Sequence, residues 1–245
     1  MPSAAAIIIG DEILSGKTQD TNTHALAVML RASGVELCRV VTIPDDPALI
    51  AQEVELCSSR FDHVITSGGV GPTHDDRTIE GVARAFGRPV VMHPELERLV
   101  RGHWGERIND AALKLAEIPE GARLLYSDDG LLPVVALENV YVLPGIPQLF
   151  EAKLSRIRQE LSGARWVLHS VYLSGDESSV AGHLSQVEQE LPGVKIGSYP
   201  RLDVPDHRLR ITVESAQRDL ADRGLERVLE LVPAHRVIRV ERDGE

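Results

Sequence analysis

Between Val64 and Gly81 the chain reads Val-Ile-Thr-Ser-Gly-Gly-Val-Gly-Pro-Thr-His-Asp-Asp-Arg-Thr-Ile-Glu-Gly, and this stretch holds the residues best suited to chemistry. Three glycines, Gly68, Gly69 and Gly71, follow a short β-forming run, and a helix start follows them. Strand, glycine loop and helix start together let backbone N–H groups point at a phosphate. The spacing is not that of the dinucleotide fingerprint G-x-G-x-x-G, and no Walker lysine is present. The same loop carries two carboxylates, Asp75 and Asp76, with Glu80 one turn further on. Bare carboxylates beside a phosphate would repel it. A Mg²⁺-like ion, held by one or two of them together with phosphate oxygens, removes that repulsion. Such an ion also polarises phosphoryl oxygens and generates hydroxide. Plainer roles compete: a tight turn for the glycines, an N-cap for one aspartate, and simple solvent exposure for His74.

The elements that must position these residues follow from hydrophobic patterning. Ala5–Ile9 reads as a buried strand ended by Gly10, and Asp20-Thr21-Asn22-Thr23 supplies N-cap chemistry for a helix with Leu26, Met29 and Leu30 on one face. Gly34 fits the position that stops that helix. Strand Val35–Ile43 closes on Pro44-Asp45-Asp46-Pro47, and a helix with Ile50, Val54 and Cys57 on one stripe leads to strand His63–Thr66. Ile79, Val82, Ala83 and Phe86 line the helix after the glycine loop. This β-α-β-α-β-α order predicts a parallel sheet with right-handed crossovers. Loops 10–20, 44–47 and 68–76 each follow a strand, so they emerge at the carboxyl edge, where open α/β sheets bind ligands. Asp11, Glu12, Asp45, Asp46, Asp75 and Asp76 are thereby expected near one another. A turn role remains open for Asp45, Asp11 and Glu12.

Further on, 95–117 reads as helical, and Ala122–Tyr126, Val134–Leu137 and Val140–Leu143 as short strands, the last two joined in a hairpin at Glu138-Asn139. Leu143-Pro144-Gly145-Ile146-Pro147 ends a strand and opens the helix Leu149–Leu161. Ser162-Gly163-Ala164 reads as a boundary between an α/β domain, 1–163, and a small β-α-β-β-α-β domain, 164–245. In the latter, strands Trp166–Leu173, Val194–Ser198, Leu209–Val213 and Arg236–Val240 alternate with helices Glu177–Leu191 and Ala216–Leu231, the order of a ferredoxin-like sandwich.

Composition narrows the function classes. The 245 residues carry a formal net charge of −11 and 43% hydrophobic residues, which argues for a real core and against general binding to nucleic acid or an anionic membrane surface. Cys38 and Cys57 read as reduced core residues. The apolar run Ala4–Ile9 is too short for a signal peptide or a membrane span, so a cytoplasmic protein is expected. The nine histidines offer no zinc spacing, and no Gly-x-Ser-x-Gly elbow is present.

The motifs Gly10-Asp11-Glu12-Ile13-Leu14, Ser67–Asp76 and Leu143-Pro144-Gly145-Ile146-Pro147 resemble the molybdopterin-binding superfamily. The likeness is nearer to the N-terminal domain of competence/damage-inducible protein A and nearest to the molybdopterin-binding-like N-terminal domain of eukaryotic-type FAD synthase. It extends through Thr18–Thr23 and Gly197-Ser198-Tyr199-Pro200. The resemblance implies a three-layer α/β/α domain with a mostly parallel sheet and self-association as a dimer or trimer. It also implies a nucleotide or pterin ligand. In the superfamily's adenylyltransferases two acidic positions serve metal-dependent chemistry, and by motif these match Asp45 and Asp76. The resemblance carries phosphate and nucleotide contacts onto Gly10, Asp11, Glu12, Ser67, Gly68, Gly69, Gly71, Pro72, Thr73, Thr78 and Gly145. Members like the two domains named are associated with metal-dependent cleavage of dinucleotide pyrophosphates such as FAD or ADP-ribose. Val70 stands where adenylyltransferases carry threonine, in Thr-Thr-Gly-Gly-Thr-Gly, which counts against molybdopterin adenylylation. The expectation is therefore a pyrophosphatase using Mg²⁺, Mn²⁺ or Co²⁺, with Asp45 and Asp76 on the metal and Asp75 or Glu80 assisting water. Molybdopterin binding or adenylylation, and a non-catalytic nucleotide- or pterin-binding module, are the alternatives. Neither an FMN-adenylylating domain nor an amidohydrolase domain follows, so neither activity is expected of this chain.

Overall fold

The computed structural model describes residues 1–127, 132–161, 163–201 and 204–244. The chain divides into two compact units, Met1–Gly163 and Ala164–Glu245. Ser162 of the expected boundary lies outside the described residues.

The first unit begins with β1 (Ser3–Ile9), α1 (Asp11–Leu14), α2 (Asn22–Ala32), β2 (Glu36–Ile43), α3 (Pro47–Ser58), β3 (His63–Ser67) and α4 (Thr78–Ala85). It continues with β4 (Val90–Met92), α5 (Pro94–Trp104), α6 (Asp110–Leu113), β5 (Glu117–Pro119), β6 (Arg123–Leu125), β7 (Val134–Leu137), β8 (Val140–Leu143) and α7 (Pro147–Ile157). Its main sheet runs β2-β1-β3-β8-β7-β6. The first four strands are parallel, and β7 and β6 complete it antiparallel. β1 shows why no polar alternation marks this strand. Ala4, Ala6 and Ile8 pack with Leu26, Leu30 and Phe150 on one face, while Ala5, Ile7 and Ile9 pack with Ile50, Val54 and Val82 on the other. A strand buried on both sides reads as a continuous apolar run. Helices on both faces give the α/β/α layering.

Local chemistry accounts for several boundaries. Gly34 takes φ +70°, its N–H bonds to the Arg31 carbonyl at 3.1 Å, and the Val35 N–H bonds to the Leu30 carbonyl at 2.9 Å. That paired pattern closes α2 with a Schellman turn. Asp46 caps α3, accepting from the N–H groups of Ala48 and Leu49 at 2.7 and 3.2 Å.

Several expected elements differ. The segment 95–117 is not one helix: α5 stops at Gly105 (φ +53°), Asn109 caps the short α6, and β4 and β5 pair as a separate two-stranded sheet. Asp11–Leu14, read as loop, is a four-residue helix. Cys38 is exposed on the edge strand β2 and is no core residue, whereas Cys57 is buried, and both thiols are free.

The second unit contains β9 (Val167–Leu173), α8 (Ala181–Glu190), β10 (Lys195–Pro200), β11 (Leu209–Ser215), α9 (Arg218–Leu231) and β12 (Val237–Glu241). Its antiparallel sheet runs β10-β11-β9-β12, the ferredoxin-like order, with Val171, Leu173, Ile211 and Val213 packed against Leu184, Val187, Leu225 and Val228. The expected helix 177–191 begins instead as a 3₁₀ turn, Glu177–Ser179, before α8. No helix among the described residues is long and apolar enough to cross a membrane.

Candidate functional site

The glycine loop connects β3 to α4 and is shaped by backbone crowding. Gly68 has φ +106°, and a Cβ there would lie 2.1 Å from the Ile9 carbonyl oxygen at the end of β1. Gly69 has φ +62°, and its Cβ would meet Thr78 Oγ1 at 2.4 Å and Asp45 Oδ1 at 3.2 Å. Positive φ combined with close backbone approach requires glycine at Gly68. From the far side, a Cβ on Gly145 would come within 3.2 Å of the Gly68 Cα, so the turns after β3 and β8 meet backbone to backbone. Thr78, fully buried at the start of α4, donates its hydroxyl to the Gly68 carbonyl at 2.8 Å and its N–H to the Gly69 carbonyl at 2.9 Å. Thr78 therefore fixes the loop and its hydroxyl is committed to that task.

Asp45 reaches the loop from the end of β2. Its Oδ2 accepts the Asp11 N–H at 3.0 Å, and its Oδ1 lies against Gly69. Three strand ends, those of β1, β2 and β3, are joined through this one side chain. Burial raises its pKa above the ordinary aspartate value; the Asp11 N–H opposes that rise, and the nearby carboxylates of Glu12, Asp11 and Asp75 add to it. The division of labour between the neighbours is clear: Asp46 caps α3, so Asp45 is left facing the glycines.

Asp76 is folded back over its own loop, its Oδ2 accepting the Thr73 N–H at 2.8 Å and the Thr73 hydroxyl. The same oxygen lies where a Cβ on Gly71 would sit, at 2.6 Å. Neither Asp75 nor Asp76 caps α4, whose N-cap is Arg77 without a side-chain bond. Capping thus leaves this acid pair unexplained. Asp75 is exposed, with its carboxylate 3.9 Å from His74 Nδ1, and Pro72 is exposed beside them. Glu80 is drawn away onto the surface of α4, where Arg77 grips it through Nε and Nη2, both at 2.8 Å. Asp11 and Glu12 sit in the first turn of α1, and the Glu12 carboxylate folds back over Gly10, where a Cβ would meet it at 2.6 Å.

Two residues that the sequence reading left out prove structural to the site. Asn22, only 6% exposed, donates from its side-chain amide to Ser67 Oγ at 2.9 Å and to the Gly145 carbonyl at 2.8 Å. It spans the two glycine turns. Its place in the Asp-Thr-Asn-Thr start of α2 was the available signal, overlooked as generic capping chemistry; Asp20 does that work by accepting the Thr23 N–H at 3.0 Å. Lys114 donates its ammonium to the carbonyls of Thr73 and Asp76, the latter at 2.8 Å. It lies 38 residues from Asp76, and nothing in its local sequence marks it.

Asp45 and Asp76 supply hard oxygen donors, which suit Mg²⁺, Mn²⁺ and similar cations. Among the described residues no group of three or more His, Cys, Asp or Glu side chains forms a ready-made metal cage.

Sheet, glycine loop and flanking acids define an α/β domain that gathers a tight glycine turn and several carboxylates at the strand ends of one sheet edge. Comparison with known proteins makes the class specific. Residues 5–162 match the family described as "Probable molybdopterin binding domain", and residues 165–241 match "FAD synthase, middle domain". The chain belongs to the molybdopterin-binding domain family. It is 36% identical over 198 residues to a protein of Archaeoglobus fulgidus, covering 80% of this chain and 84% of that one. It is 32% identical over 261 residues to a "Probable FAD synthase" of Caenorhabditis elegans, covering 95% of this chain and spanning 50% of the relative's length. A solved structure of CinA from Thermoplasma acidophilum, of unknown function, is 29% identical and superposes with a TM-score of 0.60 over 65% of this chain and 99% of that one.

Proposed function

We propose that the chain is a divalent-metal-dependent nucleotide pyrophosphatase acting on an FAD-like or ADP-ribose-like substrate. The observation that carries this reading is Asp45, held by the Asp11 N–H against Gly69 with its charge disfavoured by burial and by neighbouring acids. A cation beside that carboxylate would offset both the partial burial and the repulsion from its acidic neighbours. Gly69 and Gly71 would present backbone N–H groups to a pyrophosphate, while Gly68, whose N–H is bonded to the Leu143 carbonyl at 3.1 Å, shapes the turn that carries them. Asp45 and Asp76 would hold the metal, which when bound supplies charge neutralisation and an acidified water. Thr73 holds the Asp76 carboxylate in place, and Lys114 fixes the loop that carries it. Asp75, exposed beside the loop, is the remaining carboxylate for orienting water, since Glu80 is engaged by Arg77. In the hydrolysis, water oxygen bonds to one phosphorus and the bridging oxygen departs with the other phosphate.

The test is product analysis with FAD and ADP-ribose in the presence of Mg²⁺, Mn²⁺ or Co²⁺. Metal-dependent release of AMP is expected, abolished by EDTA with the far-UV circular dichroism unchanged. No turnover with any of these, or turnover untouched by Asp76→Ala, overturns the proposal. The family description favours a second reading, a pterin ligand bound at the same loop. Tight binding of molybdopterin without hydrolysis of either dinucleotide would select it.

A further inference from the structure

A small cleft of ≈ 50 Å³ opens beside the glycine loop, and its lining includes Glu12, Thr18, Asn22, Ser67 and Gly145. Three polar groups in it have capacity to spare. The Asn22 amide nitrogen is committed to the Gly145 carbonyl and Ser67 Oγ, which leaves Asn22 Oδ1 as an acceptor with no donor among the described residues. Ser67 accepts from Asn22, so its own hydroxyl proton remains available. The Glu12 carboxylate forms no ion pair and accepts no hydrogen bond among the described residues, and it lies over Gly10 at an exposed position. Asn22 and Ser67 are buried, at 6% and 2% exposure. Buried polar groups are ordinarily satisfied, so spare acceptors facing a cleft point to a ligand that donates.

Size restricts the ligand. An apolar cavity that holds benzene is about 150 Å³, so a cleft of ≈ 50 Å³ cannot enclose a pterin or an isoalloxazine ring. It matches the hydroxyl-bearing edge of a sugar. The cleft also abuts the loop directly, because Ser67 precedes Gly68 and Gly145 packs on the Gly68 backbone.

We infer that this cleft binds the vicinal diol of a ribose in a nucleoside diphosphate, with Glu12 and Asn22 Oδ1 accepting from the two hydroxyls and Ser67 donating. A carboxylate accepting from ribose hydroxyls is a recurrent solution in nucleotide-binding α/β folds, and its charge rejects a 2′-phosphate. The inference rests on the proposed nucleotide substrate and names the part of it that is recognised.

The experiment is calorimetry of the full chain with ADP, 2′-deoxy-ADP, 3′-deoxy-ADP and 2′-phospho-ADP in the presence of Mg²⁺. ADP is expected to bind about tenfold or more tightly than at least one deoxy analogue, and the 2′-phosphorylated form not at all. In Glu12→Gln, which keeps the side chain's shape at an exposed position, the discrimination shrinks and the 2′-phosphate is tolerated. Equal affinity for ADP and both deoxy analogues, or discrimination unchanged in Glu12→Gln, overturns the inference while leaving the pyrophosphatase reading intact. Diol-dependent ADP binding without hydrolysis of FAD or ADP-ribose supports the cleft and overturns the pyrophosphatase. Absence of ADP binding overturns the inference, while the pyrophosphatase reading stands or falls with the hydrolysis assay.

Discussion

Replacing Gly68 by alanine tests whether the loop is held in its shape by backbone contact. The added methyl would lie 2.1 Å from the Ile9 carbonyl oxygen, and the residue would still have to hold φ +106°. Ordinary van der Waals contact begins above 3 Å, so either β1 retreats by about 1 Å or the loop changes course. A side chain at positive φ costs about 1–2 kcal/mol, and forcing a methyl into a packed site adds about 1–3 kcal/mol. The expected loss is about 2–5 kcal/mol, a large part of a total stability of about 5–15 kcal/mol. Gly16→Ala is the internal control, because Gly16 also has positive φ (+71°) but nothing within 4 Å of its added Cβ. It should lose only the conformational part, about 1–2 kcal/mol. Urea unfolding of both variants, read at constant m-value, gives the comparison. If Gly68→Ala costs no more than Gly16→Ala, the backbone crowding that shapes the site is not rigid.

Three more perturbations probe other parts of the molecule. Asp45→Asn keeps an acceptor for the Asp11 N–H and removes the charge. Because the folded-state pKa of Asp45 is raised, the native protein holds its proton more firmly than the unfolded chain, and ionisation costs stability as pH rises through the carboxylate range. The variant should therefore be more stable than the parent at pH 7, with the gap closing as pH falls below the folded-state pKa, while hydrolysis drops about 100-fold or more; a destabilised variant at pH 7 refutes the assignment. Lys114→Met removes the tether to the Thr73 and Asp76 carbonyls, costing about 1 kcal/mol in this half-exposed setting and raising KM more than it lowers kcat. An unchanged KM removes Lys114 from the site. In the second unit, Tyr172→Phe loses the hydroxyl bond to Glu241 (2.7 Å) while leaving the ring under Arg239, and thermal unfolding should report about 1 kcal/mol; no loss would mean that the bond is replaced by water.

How far the sequence disclosed this arrangement depended on the range of the forces involved. β1, α2, α3 and β3 are strongly patterned because each buries a continuous stripe, and the carboxyl-edge position of the acids follows from the order of the elements alone. The 95–117 segment is amphipathic throughout, but Gly105 at positive φ and the Asn109 cap divide it, and the three-residue strands β4 and β5 are too short to show a period. Cys38 was misplaced because β2 is an edge strand, a fact set by pairing and not by its own residues. In the site, loop chemistry was visible at the glycines and acids, while the roles of Lys114 and Asn22 depend on contacts 38 to 123 residues away in the chain. Glu80 looked equivalent to its neighbours until Arg77, three residues before it, turned out to hold it.

The meeting of Gly68 with Ile9 and Gly145 also bears on how a protein like this one changes its work over generations. At Gly68, where backbone presses on backbone, no side chain is admissible, so that position offers evolution nothing to vary. Asp11–Gln19 on one flank and Val70 on the other carry side chains beside the same turn and can exchange them without dismantling it. New substrate preferences should therefore arise by editing the loops around a mould that itself stays blank.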